Sequence, residues 1–211
     1  MRLRLFMLAA IIGGCAPRDD ESRRQGEAVR GGAPIPVDAR SDPWWEHTVA
    51  RDLTGDGRAE TLRLVARGYR PESLKVTFSI TAVDSVLYTL SWPSDGYFAY
   101  EGPIESIPPS RLAERTRSAL SRFLNDDAFG TTAEVDSGEA VETISHQLCV
   151  TFANGTYATD PSCLDTLVRP LWQDMVRRNV VTFSFGSGGE VSRTIVWSTR
   201  MRRFLEVFAC C

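Results

Sequence analysis

The chain has 211 residues, of which 43% are apolar and 24% charged, with a formal net charge of −3. That length leaves room for one domain with a sizeable core, and that composition excludes a disordered chain. The small net charge argues against a polyanionic partner, so no nucleic acid is expected. Lys75 is the single lysine, and the many arginines are dispersed among acids in the manner of a codon bias, without forming a basic patch.

The chain opens with Arg2 and Arg4, followed by an apolar run over 5–12. That run is well short of the ~20 residues a membrane-spanning helix needs, and the layout is that of a secretory signal. The stretch Ile12-Gly13-Gly14-Cys15 resembles the lipobox of bacterial lipoproteins. The resemblance implies that residues 1–14 are a signal peptide and that Cys15 is acylated, becoming the mature N-terminus on a lipid tether in the cell envelope. An ordinary cleaved signal with an incidental cysteine is the other reading. Ala16 and Pro17 follow the cysteine. The lack of an Asp there, by likeness to enterobacterial lipoproteins, points to the outer membrane, facing the periplasm or the cell surface. Residues 15–41 are rich in Arg, Asp, Glu, Gly, Pro and Ser. They bury too little apolar surface to order themselves and read as a flexible tether.

The folded domain is expected over 42–211, opening on Asp42-Pro43-Trp44-Trp45. Strands are expected at 46–51 and 61–66. Two more at 74–82 and 86–92 form a hairpin around Val83-Asp84-Ser85, because apolar residues alternate in each. Prolines 93, 103, 108 and 109 then break the pattern. A helix is expected over 111–125, with Ser110 as N-cap and a stripe of Leu112, Thr116, Ala119, Leu120, Phe123 and Leu124. Residues 130–138 read as a polar loop. Residues 139–148 suit a helix, and 149–152 suit a strand. Asp160-Pro161 resembles a cap followed by a helix-starting proline, with the helix running to about 178 and Pro170 imposing a kink or a late start. Strands at 181–185, 191–198 and 204–209 close the chain. The fold class is therefore α+β: an antiparallel sheet of several hairpins, with two or three helices inserted between two β blocks.

One stretch carries chemistry. In Asp52-Leu53-Thr54-Gly55-Asp56-Gly57-Arg58-Ala59-Glu60, oxygen-bearing residues alternate around a glycine turn. A hard cation such as Ca²⁺ takes six or more oxygens at ~2.4 Å. Asp52, Thr54, Asp56 and Glu60 offer side-chain oxygens, Arg58 its backbone carbonyl, and Gly57 permits the bend. The stretch resembles the calcium-binding loops of FG-GAP and VCBS-type repeat proteins, which join two strands. Thr54 and Glu60 depart from that pattern, and one copy is present where arrays are usual. Arg63 stands where an EF-hand carries its bidentate Glu. A plain hairpin turn at Asp56-Gly57 is the alternative.

Other signals are weaker. If Cys15 is acylated, Cys149, Cys163, Cys210 and Cys211 remain, an even number in an oxidising compartment. Three pairings are open, and a bridge between neighbouring Cys210 and Cys211 would be strained. His146 and Cys149 can form a thiol–imidazole pair, or a zinc site with Cys163 that lacks a fourth ligand. Gly186-Ser187-Gly188 lacks the spacing of a nucleophile elbow. Trp44-Trp45, and Trp92 with Tyr97, Phe98 and Tyr100, suit either a binding face or the core.

Three functions follow. The first is a lipid-anchored binding or structural module of the envelope, partnered by an envelope protein or a glycan. The second is a periplasmic hydrolase using Asp52 and Asp56, with or without a metal, beside His47. The third is an inhibitor or accessory subunit docking on an envelope partner.

Overall fold

The computed structural model describes residues 43–95, 106–153, 156–187 and 191–210. The signal peptide, Cys15, the tether, Tyr97, Phe98, Tyr100 and Cys211 all lie outside the described residues. Among the described residues no helix is long and apolar enough to cross a membrane.

The first β block is a four-stranded antiparallel meander of β1 (Trp45–Arg51), β2 (Glu60–Arg67), β3 (Lys75–Ala82) and β4 (Ser85–Pro93). Period-two alternation sends Leu62, Leu64 and Ala66, then Val76, Phe78 and Ile80, then Tyr88, Leu90 and Trp92 to one buried face. The β3–β4 link is tighter than expected: only Val83 and Asp84 lie between the strands, and Val83 takes a φ of 41°.

The second β block forms a separate sheet in the order β10-β9-β8-β5, built from β5 (Phe129–Thr131), β8 (Val181–Gly186), β9 (Ser192–Ser198) and β10 (Arg203–Cys210). Phe183, Phe185, Ile195 and Phe204 face the first sheet, and Phe78 sits 5.1 Å from Phe183 and 5.5 Å from Phe185, ring centre to ring centre. Val196, Leu205 and Val207 face the other way, against helices. A bulge between Glu206 and Phe208 shifts the β9–β10 register. The fold is therefore α+β in three layers, with the second sheet buried on both faces.

Helix α1 (Pro109–Arg122) inserts Leu120, and just beyond it Phe123 and Leu124, between the sheets. Its N-cap is Pro108, not Ser110, and Pro109 takes the first turn, where a missing N–H costs nothing. Residues 130–138 hold more order than a loop. They include β5, a 3₁₀ turn over Thr132–Glu134 with a Thr131/Glu134 capping box, and the start of α2 (Ser137–Leu148), capped by Asp136. Both readings of the next stretch hold in succession: α2 ends, and β6 (Val150–Ala153) pairs with β7 (Thr156–Thr159).

Asp160 caps the following helix, accepting the Ser162 amide at 2.9 Å, with Pro161 at the first helical position. The run α3 (Pro161–Cys163), a π turn over Leu164–Val168 and α4 (Arg169–Arg178) is continuous, and the Arg169 amide reaches Leu164 O. Pro170 has no N–H and crowds the preceding turn, and the wider π turn absorbs that misfit. The helix ends at Asn179, in the left-handed region with a φ of 49°.

A disulfide joins Cys149 to Cys163, with Cα atoms 5.7 Å apart. It fastens the end of α2 to α3 around the β6–β7 hairpin. Of the three pairings open from sequence, those tying Cys149 or Cys163 to the chain end are thereby closed. Cys210 ends β10.

Candidate metal centre

Residues 52–59 join β1 to β2, and the register Arg51↔Glu60 closes the loop at its base. Two glycines, not one, give it its shape: Gly55 has a φ of +73° and Gly57 of +84°. A Cβ at either would meet nothing within 4 Å, so conformation and not space selects glycine.

Glu60 is only 2% exposed and organises the interior. Its Oε2 accepts the amides of Leu53 at 2.7 Å and Thr54 at 3.3 Å, and its Oε1 accepts the Thr54 hydroxyl at 2.9 Å. Leu53 is buried in the core between the sheets, which pins the loop to the body of the domain. Asp52 accepts the Gly55 amide on Oδ1 at 2.7 Å and the Gly57 amide on Oδ2 at 2.9 Å. Asp56 Oδ1 accepts the Arg58 amide at 2.8 Å.

The outcome is a convergence of charge. One carboxylate oxygen from each of Asp52, Asp56 and Glu60 lies within 4.8 Å of the others. A carboxylate has about four acceptor positions, so each retains capacity beyond these loop hydrogen bonds. This oxygen-only donor set suits a hard cation, and the cluster can hold a metal ion. Thr54 and Arg58, the other two residues expected here, take part differently. The Thr54 hydroxyl donates to Glu60, and Arg58 enters through its amide.

Three arginines, Arg51, Arg58 and Arg63, stand in or beside the loop in sequence, and two of them are engaged elsewhere. Arg51 Nη2 contacts Asp126 Oδ1 at 2.5 Å, and its guanidinium carbon lies 5.3 Å from the Phe129 ring centre. Arg63 Nε contacts Glu46 Oε1 at 2.8 Å. That hydrogen bond holds the Glu46 carboxyl below its ordinary value of 4.5. Neither partner is legible near the loop in sequence.

The remaining candidates do not assemble with it. His47 pairs with Leu64 on the core-facing side of β1, four residues before Arg51, or ~13 Å along the strand. It is not beside Asp52 or Asp56. His146 is exposed on α2, and the disulfide occupies both thiols of the thiol–imidazole and zinc readings. Trp44 and Trp45 pack against the core, with the Arg117 guanidinium 4.9 Å from the Trp44 ring centre. Trp92 is buried and stacks on Phe123 at 5.4 Å.

No protein-family model, no curated protein and no solved structure matches this chain. The likeness to FG-GAP and VCBS-type loops rests on residues 52–60 and the two strands that flank them.

Proposed function

We propose that this chain is a lipid-anchored binding or structural module of the bacterial cell envelope, with Ca²⁺ as a structural ion in the 52–60 loop. The observation that carries the calcium reading is the convergence of Asp52, Asp56 and Glu60 at a turn anchored by Leu53. Three carboxylates so close repel one another, and a divalent ion relieves that repulsion. Asp52, Asp56 and Glu60 are the residues that would hold the ion. Its contribution is charge neutralisation and loop rigidity, with no substrate required.

The distance of His47 along β1 favours this reading over a hydrolase using the same carboxylates. The Ile12-Gly13-Gly14-Cys15 resemblance supports the anchor. An envelope protein or a glycan is the partner class the address favours.

Two measurements test the proposal. Equilibrium dialysis with radiolabelled calcium is expected to find one ion per chain, lost in Asp52→Asn and Asp56→Asn. Intact-mass analysis of membrane-extracted protein is expected to show acyl chains on Cys15. A Cys15→Ser variant that is still processed and still membrane-bound would overturn the anchor.

A further inference from the structure

Away from the loop, a cleft of about 710 Å³ runs between α2 on one side and the π turn with α4 on the other. That volume is in the range of pockets that take small molecules. Its frame is held at both ends. The Cys149–Cys163 disulfide ties the end of α2 to α3, and the Thr132 hydroxyl, just ahead of α2, donates to Met175 O at 3.0 Å near the end of α4. From α2 the cleft is lined by Gly138, Val141 and Ser145, spaced three and four residues apart on one helix face. All three are small, so α2 does not fill the space opposite Trp172.

Trp172 lines the cleft from α4 and is only 3% exposed, yet its buried indole N–H has no hydrogen-bond partner among the described residues. A phenylalanine would supply an apolar ring without that donor. A buried donor left unpaired costs free energy, so this one calls for an acceptor from outside the chain. On α2, Ser145 is also buried, and its hydroxyl donates to Glu142 O at 2.7 Å. The oxygen keeps capacity to accept. The cleft therefore offers one donor and one acceptor among the half-buried side chains of Val141, Leu164 and Val176.

We propose that this cleft binds a small neutral aliphatic amide, its carbonyl accepting from the Trp172 N–H and its N–H donating to the Ser145 hydroxyl. The aliphatic chain lies against Val141, Leu164 and Val176. Charged relatives of the same length fit less well. An ammonium brings donors and no acceptor, and leaves the Trp172 N–H unpaired. A carboxylate needs several donors, and the two arginines lining the cleft are already engaged, Arg169 with Asp165 at 3.0 Å and Arg177 with Asp174 at 2.6 Å. The site shares no residue with the 52–60 loop and does not rest on the calcium reading.

The test is ligand-observed NMR titration of the full chain with hexanamide, and with hexylamine and hexanoate as its charged counterparts. Saturable hexanamide binding is expected, with both counterparts at least tenfold weaker. Trp172→Phe keeps an aromatic ring and removes the N–H, and is expected to weaken hexanamide about tenfold and to erase its advantage over hexylamine. Val141→Phe fills the cleft from its half-buried wall and is expected to abolish binding, which keeps the test open should Trp172→Phe fail to fold. Melting curves establish that each variant is folded. Asp56→Asn is expected to bind hexanamide like the parent chain, which separates this cleft from the calcium loop. The proposal is overturned by absent saturation, by equal binding of hexylamine or hexanoate, by parental affinity in a folded Trp172→Phe or Val141→Phe, or by loss of binding in Asp56→Asn.

Discussion

Arg51 and Asp126 stand 75 residues apart in the chain and meet at 2.5 Å. The pair draws a cation away from Asp52, the next residue along. An exposed ion pair contributes little to stability, ~1 kcal/mol or less, so its consequence is local electrostatics. Asp126→Ala releases Arg51 and removes a nearby negative charge, and is expected to weaken calcium binding several-fold. Arg51→Met is expected to strengthen it. Calorimetric titration of both variants checks the opposite signs.

Glu60 gathers two amides and a hydroxyl while almost fully buried. Glu60→Ala leaves those donors without a partner and is expected to cost about 2–3 kcal/mol. Urea unfolding without calcium measures this. A loss below ~0.5 kcal/mol would show that the carboxylate does not organise the loop.

Gly55 and Gly57 sit in the left-handed region with open space around their Cα atoms. Alanine at either is expected to destabilise by about 1–2 kcal/mol, and asparagine by less, because the cost is conformational. Thermal unfolding of the four variants reads that ranking.

Much of this fold is legible in the sequence where a pattern is local. Leu62, Leu64 and Ala66 alternate because one face of β2 is buried, and the alternating oxygens of residues 52–60 mark the loop without tertiary information. Asp160-Pro161 likewise marks its helix start. What stays hidden is non-local. The three-residue β5 exists only because β8, some 50 residues on, supplies its partner. The division of the strands into two sheets depends on which apolar faces meet. The arginines near the loop look hostile to a cation in sequence, and only the fold shows Asp126 and Glu46 holding two of them.

The disulfide encloses the β6–β7 hairpin over a sequence separation of 14. Replacing Cys149 and Cys163 with serine is expected to cost about 2–4 kcal/mol and to speed proteolysis between residues 150 and 163. Non-reducing peptide mapping is expected to recover the 149–163 linkage.

Glu46 titrates below its ordinary value because Arg63 stabilises its charged form. Its contribution to stability is therefore full above about pH 4.5 and is lost as pH falls through the lowered value. The side chains of Glu46 and Arg63 are 37% and 46% exposed, so solvent screening keeps that contribution under ~1 kcal/mol. Glu46→Gln is expected to flatten the acid limb of the stability profile, read by urea midpoints from pH 3 to 6. An unchanged limb would mean that the pair does not persist in solution.

Calcium at the 52–60 loop is the central claim, and differential scanning calorimetry with and without millimolar Ca²⁺ tests it most directly. With Thr54 uncharged and Arg58 in the loop, the expected dissociation constant is about 10⁻⁴–10⁻³ M. At tenfold excess the folded state gains ~1.4 kcal/mol, or about 3–5 °C in Tm, and Asp56→Asn is expected to abolish that shift. A Tm indifferent to calcium, with no heat of binding on titration, would contradict the account and leave residues 52–60 as a turn that needs no ion.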